Sequence, residues 1–60
     1  MAEYWIISEN YQGLIVTHTE LMEGQAWAKY EKCCENSEFV ELQAVANGKT
    51  ETIAQSWTTL

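Results

Sequence analysis

The chain contains no proline, no aspartate and no arginine, and it has only two cysteines and one histidine among its 60 residues. A zinc site therefore lacks ligands, because the adjacent Cys33 and Cys34 do not form the spaced pairs that zinc sites use. Neighbouring cysteines rarely bridge one another, so we interpret both as free thiols in a reducing compartment. We expect no metal and no cofactor.

Basic residues are also scarce. Nine glutamates face three lysines, and the formal net charge is −6 at pH 7. This charge argues against direct contact with nucleic acid or an anionic membrane, and it favours a partner protein with a positive surface. The same charge could serve solubility alone. The segment MAEYWIISEN has no basic leader and no apolar run long enough to cross a membrane, so we expect a cytoplasmic protein.

The sequence predicts a single α+β domain, residues 1–60, with the element order ββαββ. Two runs rich in β-branched and aromatic residues, 4–7 and 14–19, flank a turn and predict an antiparallel hairpin. Asn47-Gly48 between two alternating runs predicts a second hairpin with a two-residue loop. We expect a four-stranded, mostly antiparallel sheet with one helix packed on one face, and with the third strand beside the first.

The helix is expected to begin after Thr19, whose side chain can cap it, and to end at Asn36 and Ser37. Glu20 would then lie in its first turn. Apolar side chains at helical spacing predict a buried stripe formed by Met22, Ala26, Tyr30 and Cys33.

The two-residue loop of the last hairpin sets the expected register, in which Leu42 pairs with Ile53. One face of that hairpin would pack on the helix, and Ala54 and Ser56 would belong to the outward face. The expected helix-facing side chains are Val40, Leu42, Ala44, Ile53 and Trp57.

The first two strands are apolar on both faces, although one helix can cover only one face of a sheet. A monomer would leave an exposed apolar patch of the size that marks interaction sites. We therefore expect a homodimer. Its predicted interface residues are Trp5, Ile7, Ile15, Phe39 and Val45.

Catalytic groups are difficult to assemble from these residues. A nucleophile–base pair would have to combine His18 with Ser8, Cys33 or Cys34. Cys33 belongs to the predicted buried stripe, where a thiol is usually an inert small apolar group. We therefore expect that the protein is not an enzyme.

The order of EYWIISE, LIVTHT, ELMEGQAWAKYEKCC and EFVELQAV in a tiny acidic chain resembles small bacteriophage inhibitor proteins. In layout it is most similar to the uracil-DNA glycosylase inhibitors of phi29-like phages, although its fourth strand departs from their layout. The RNA polymerase inhibitor of phage T7 and small anti-CRISPR proteins are similar at a looser level. The glycosylase-inhibitor resemblance implies a dimer that presents carboxylates in place of DNA phosphates and offers an apolar groove to the enzyme.

We therefore predict a phage-type inhibitor that binds the positively charged, nucleic-acid-binding surface of a host enzyme as an acidic DNA mimic. Glu31 and Glu35 would lie about 6 Å apart along the helix axis, a spacing that fits the phosphate repeat of a strand. The resemblance favours a uracil-DNA glycosylase inhibitor. The alternatives are an anti-CRISPR protein or host RNA polymerase inhibitor, a structural dimerisation module without an inhibitory role, and a cysteine-dependent enzyme. The predicted partner-binding residues are Glu20, Glu23, Glu31, Glu35, Glu38, Glu41, Tyr11 and Trp27.

Overall fold

The computed structural model describes residues 2–57 of the chain. Its elements are β1 (Glu3–Glu9), β2 (Ile15–Glu20), α1 (Glu23–Asn36), β3 (Phe39–Ala46) and β4 (Lys49–Gln55). The strands form one sheet of order β2-β1-β3-β4, and all neighbouring strands in it are antiparallel. The predicted ββαββ fold class is confirmed, and so is the position of the third strand beside the first.

Both hairpins turn at the residues that the sequence predicts. Asn47 and Gly48 have φ angles of 53° and 75°, the pair of positive values that a type I′ turn needs and that Asn-Gly adopts with little strain. In the first hairpin, the side-chain oxygen of Asn10 accepts hydrogen bonds from the backbone N–H groups of Gln12 and Leu14, both at 2.9 Å. This side chain therefore holds the loop in the way that a backbone turn would.

The helix packs across β1 and β3 and encloses a small core. Ala26 and Tyr30 contribute to it from the helix, as the predicted stripe requires, and burial raises the pKa of the Tyr30 hydroxyl. The Cys34 thiol beside that hydroxyl adds to the shift in pKa. The buried apolar side chains are Ile6, Ala26, Tyr30, Val40 and Leu42.

The helix begins later than the sequence predicts, although it ends at Asn36 as expected. Strand β2 extends to Glu20, which pairs with Tyr4 of β1, and this pairing uses the residues that were expected to start the helix. The N-cap is Met22, which has an extended backbone and makes no side-chain capping hydrogen bond. Met22 is 63% exposed, so the predictions of a buried Met22 and a helical Glu20 are wrong. Strand pairing outweighs the capping preference of Thr19.

The last hairpin contains a β-bulge that the sequence analysis did not predict. Gln43 of β3 pairs with Thr52 of β4, whereas the preceding residue of β3, Leu42, pairs with Ala54 and not with Ile53. Ile53 is therefore the extra residue on the bulged strand. The predicted pairing of Leu42 with Ile53 is wrong for this reason.

Beyond the bulge, the alternation of side chains along β4 is reversed relative to the prediction. Ala54 packs against the core, although it was expected on the outward face. Trp57 was expected under the helix, but its ring meets that of Phe39 edge to face, with a centroid distance of 5.8 Å. Ile53 is 38% exposed and not part of the core. The predicted helix-facing positions of Ile53 and Trp57 are therefore wrong.

Two alanine substitutions test the bulge. Leu42 is fully buried, and Leu42→Ala should lower the free energy of unfolding by about 2–5 kcal/mol, a large part of the stability of a small domain. Ile53→Ala should cost much less, because Ile53 is the partly exposed extra residue. Urea denaturation followed by tryptophan fluorescence measures both variants, and equal losses would contradict the bulged register.

Candidate functional site

The sheet face opposite α1 is covered by no element of residues 2–57, and we call it the open face. On it, apolar side chains and carboxylates lie together along the central strands, as the strand registers require. The open-face residues of β1 to β3 are Glu3, Trp5, Ile7, Glu9, Ile15, Thr17, Thr19, Phe39, Glu41, Gln43 and Val45.

All the residues predicted for a dimer interface lie on the open face. Ile15 is 64% exposed, and Phe39 is 41% exposed. Trp5 is about as exposed as Phe39, and its indole N–H donates a hydrogen bond of 3.1 Å to the carboxylate of Glu3. The structure therefore brings these apolar side chains together, and it intersperses them with negative charge.

A cleft of about 100 Å³ lies at one end of the open face. The Trp57 and Phe39 rings form an edge-to-face pair in its wall, a favourable arrangement for two aromatic rings. Two carboxylates line the same cleft, so it combines apolar walls with negative charge. The lining residues are Ile7, Glu9, Ile15, Phe39, Glu41 and Trp57.

The two carboxylates of the cleft are diagonal neighbours on adjacent strands. Glu9 pairs with Phe39, and Glu41 pairs with Ile7, which is the adjacent pair on the same face of the sheet. Side chains in this relation lie about 7–8 Å apart. One guanidinium or ammonium group of a partner fits between two carboxylates at this spacing and can contact both.

Hydrogen bonds hold the Glu41 side chain in place. Its carboxylate accepts one from the Thr52 hydroxyl and one, of 2.8 Å, from the Gln43 amide. These two bonds, that from Thr52 most strongly, lower the pKa of the Glu41 carboxyl, and burial opposes them to a smaller extent. The cleft therefore contains a carboxylate that stays ionised and oriented.

The eight predicted partner-binding residues do not form one patch. Glu41 lies on the open face, and Glu20 belongs to β2. On α1, the Trp27 indole donates a hydrogen bond of 3.2 Å to Glu23 and is partly buried against the core. Tyr11 is 77% exposed in the loop of the first hairpin.

Glu31 and Glu35 form a second acidic surface, on the exposed side of α1. Their charges repel each other, because residues four apart on a helix are neighbours. Glu35 also lies near the C-terminal end, where the helix dipole disfavours a carboxylate, and the last turn of α1 has no basic residue. Glu38 follows the helix, and its backbone N–H donates to the Glu9 carbonyl at 2.9 Å.

A groove of about 300 Å³ separates α1 from β2, and both His18 and Cys33 line it. Cys33 also packs partly against the core, where a thiol is usually inert. Both cysteines are free thiols. Within residues 2–57, no three histidine, cysteine, aspartate or glutamate side chains converge to hold a metal ion.

No protein family model, curated protein or solved structure matches this chain. Among the helices of the described residues, none has the length and apolar character needed to cross a membrane. The function is therefore argued from the chemistry of the site.

Two residues that line the cleft, Glu9 and Trp57, are not among the residues predicted for the site. Glu9 follows Trp5 and Ile7 at alternate positions of β1, so strand periodicity alone could have placed it on the open face. Trp57 could not be placed in this way, because the bulge at Ile53 reverses the alternation before it.

The hydrogen bonds to Glu41 predict a pH dependence of stability. Because the folded-state pKa is lowered, ionised Glu41 stabilises the fold above its unfolded-state pKa, and this contribution is lost as the pH falls through the folded-state pKa. The difference in free energy of unfolding between the parent and Glu41→Gln should therefore be largest near neutral pH and shrink in acid. Urea denaturation at a series of pH values measures it. Glu51→Gln, at an exposed position of β4, is the control, and an equal trend there would contradict the assignment.

Glu35→Lys should stabilise the helix. The substitution replaces a repulsive pair with a Glu31–Lys pair of favourable orientation, and it places a positive charge at the C-terminal end of the dipole. It also sets two lysines three residues apart, at 32 and 35, in place of the Lys32–Glu35 pair, which offsets the gain from Glu31. We expect a net gain of about 0.3–1 kcal/mol, mainly from the dipole, seen as a higher Tm in thermal denaturation followed by circular dichroism. Glu35→Gln should give part of the gain. An unchanged Tm in both variants would contradict the prediction, because it would show that other contacts offset the unfavourable electrostatic energy of Glu35.

Proposed function

We propose that this protein is an inhibitor that binds the positively charged, nucleic-acid-binding surface of another protein through its open face. The observation that carries the proposal is the cleft, in which apolar walls surround Glu9 and Glu41. Such a cleft fits a long basic side chain. Its aliphatic part would pack on the apolar wall, and its cationic end would reach both carboxylates.

The remaining open face suits the same partner. Trp5 and Phe39 are partly exposed aromatic residues, the type in which binding energy at interfaces concentrates. Arginine and lysine side chains also bind favourably over aromatic rings. Nucleic-acid-binding proteins display these basic residues to contact phosphates, so a protein that occupies them with carboxylates would compete with the nucleic acid.

The open face is better matched to a basic partner than to a second copy of the chain. Face-to-face association would bring Glu3, Glu9 and Glu41 of both copies into one interface, and like charges across an interface oppose binding. The homodimer through this face stays a prediction from the sequence. We assign its apolar residues to the contact with the target.

The resemblance to phage inhibitors suggests which targets to test first. Uracil-DNA glycosylase comes first, followed by bacterial RNA polymerase and CRISPR nucleases, because each binds nucleic acid through a basic surface. We place this activity in the cytoplasm, in keeping with the free thiols of Cys33 and Cys34.

Two double variants distinguish a target-binding site on the open face from one on the helix. Glu9→Gln/Glu41→Gln and Glu31→Gln/Glu35→Gln remove the same amount of charge from two different surfaces. Glu41→Gln also weakens hydrogen bonds that stabilise the fold, so binding is compared under conditions in which both variants are folded. We expect the open-face pair to weaken binding about tenfold or more, since it removes charges at a desolvated contact, and the helix pair to weaken it much less. Inhibition of uracil-DNA glycosylase on uracil-containing DNA, and displacement of labelled DNA from each enzyme, are the measurements.

Circular dichroism should show that both double variants keep the parent fold. Binding by the parent should also weaken as salt concentration rises, because charge pairing at its rim is screened. If only the helix variant loses target binding, the binding site lies on α1, as the sequence predicts. Failure to inhibit any of the three enzyme classes would overturn the proposal in favour of the structural module.

A further inference from the structure

Strand β2 is an edge of the sheet that lacks the protection of the opposite edge. Strand β4 contains the bulge at Ile53 and begins with Lys49, and both features discourage pairing with another strand. Strand β2, by contrast, keeps one continuous register with β1 from Ile15 to Glu20. Its sequence IVTHTE is mainly β-branched and ends in a single carboxylate. This edge is suited to pairing with an extended strand.

We propose that two copies of this chain pair antiparallel along β2, about a twofold axis through Thr17, and join their sheets into one. A twofold axis perpendicular to the sheet makes the paired edges antiparallel and keeps both helices on the same side. The interface is then the same surface on both copies. On the open face, Thr17 meets its own counterpart and Ile15 meets Thr19 of the second copy, which are favourable β-branched pairs.

On the helix side, the same register places Leu14 opposite Glu20 of the second copy. Leu14 and Lys32 line the same groove between α1 and β2. The Glu20 carboxylate of the second copy therefore arrives at the groove wall that carries Lys32. The twofold axis repeats this contact, so the dimer gains two pairs of opposite charges.

The lysines of α1 all lie on the side that faces this edge. Lys29 and Lys32 line the groove, and within one copy they also share a shallow depression with Glu20. Glu31 projects away from the groove, which is lined from α1 by Lys29, Lys32, Cys33 and Asn36, and Glu35 lies between Glu31 and Lys32 around the helix. The β2 edge is thus where an otherwise acidic chain accepts a carboxylate from a second copy.

Pairing would also cover apolar surface that α1 leaves exposed. Leu14, Ile15 and Val16 are among the exposed large apolar side chains, and strand pairing removes part of this surface from water. The carboxylates of the two open faces would stay on one outer surface. Ile15 borders the cleft as well as the paired edge, but Glu9 and Glu41 belong to other strands. Dimerisation therefore leaves the two carboxylates available to a target, and either contact can fail without the other.

Neighbouring registers are less favourable. An axis through His18 would set each imidazole directly against its counterpart and place Glu20 opposite Val16. An axis through Val16 would place Glu20 opposite Gln12, in the loop of the first hairpin. Only the axis through Thr17 pairs the whole strand and brings Glu20 level with Leu14 and the groove.

Exchange of the charges at Glu20 and Lys32 tests the proposed dimer. Sedimentation equilibrium should give the parent about twice the 6.9 kDa mass of the chain. Glu20→Lys and Lys32→Glu should each raise the dimer Kd about tenfold or more, because both contacts become repulsive. The double variant has the charge of the parent and should recover its Kd. A mixture of the two single variants should form mainly the mixed dimer in native mass spectrometry, because each contact in it joins opposite charges.

Thr17→Lys provides a second test that does not depend on the charged pairs. It places two like charges at the twofold axis and should yield a monomer with the circular dichroism spectrum of the parent. A parent that remains monomeric at its highest attainable concentration overturns the proposal. So does a dimer whose Kd is unchanged by Thr17→Lys and by both charge substitutions, because such a dimer must use another surface.

Discussion

A single helix covers one side of a four-stranded sheet, and this limited cover determines how the remaining surface is used. The helix lies over the two central strands, where Ile6, Val40 and Leu42 are buried. Residues 2–57 provide no further helix or strand to cover the other face. Apolar side chains that the helix does not cover are therefore exposed to solvent or available to bind another molecule.

The distribution of acidic side chains favours some kinds of partner for that exposed surface over others. On the open face, Glu3, Glu9 and Glu41 lie among apolar residues, so a purely apolar partner would have to desolvate carboxylates without compensation. A partner of the same charge would be repelled, and a basic partner would satisfy both kinds of group. The β2 edge has fewer charges and offers backbone groups instead. The two surfaces are thus suited to different partners through different interactions.

Elements with strong local signals could be predicted from the sequence, and the misplaced ones depend on distant contacts. Asn47-Gly48 specifies its turn by itself, because few other dipeptides adopt two positive φ angles. Thr19 has the side chain of a helix cap, but its pairing with β1 is a long-range contact that no local pattern contains. The bulge had no glycine to signal it, and either Ile53 or Ala54 gives an apolar residue opposite Leu42. The omission of Trp57 from the predicted site follows from that last ambiguity, whereas Glu9 could have been placed by strand periodicity.

The bulge also has a consequence for the cleft. Because Ile53 takes no place in the ladder, Trp57 lies beside Phe39 on the open face. In a regular ladder that paired Ile53 with Leu42, the Trp57 indole would turn to the helix side, and the cleft would lose a wall while its other lining residues stayed unchanged. Shape at the site thus depends on the pairing of an edge strand. Deletion of Ile53 would remove the bulge and still leave Trp57 on the open face, whereas a change that brings Ile53 into the ladder would remove the indole from the cleft.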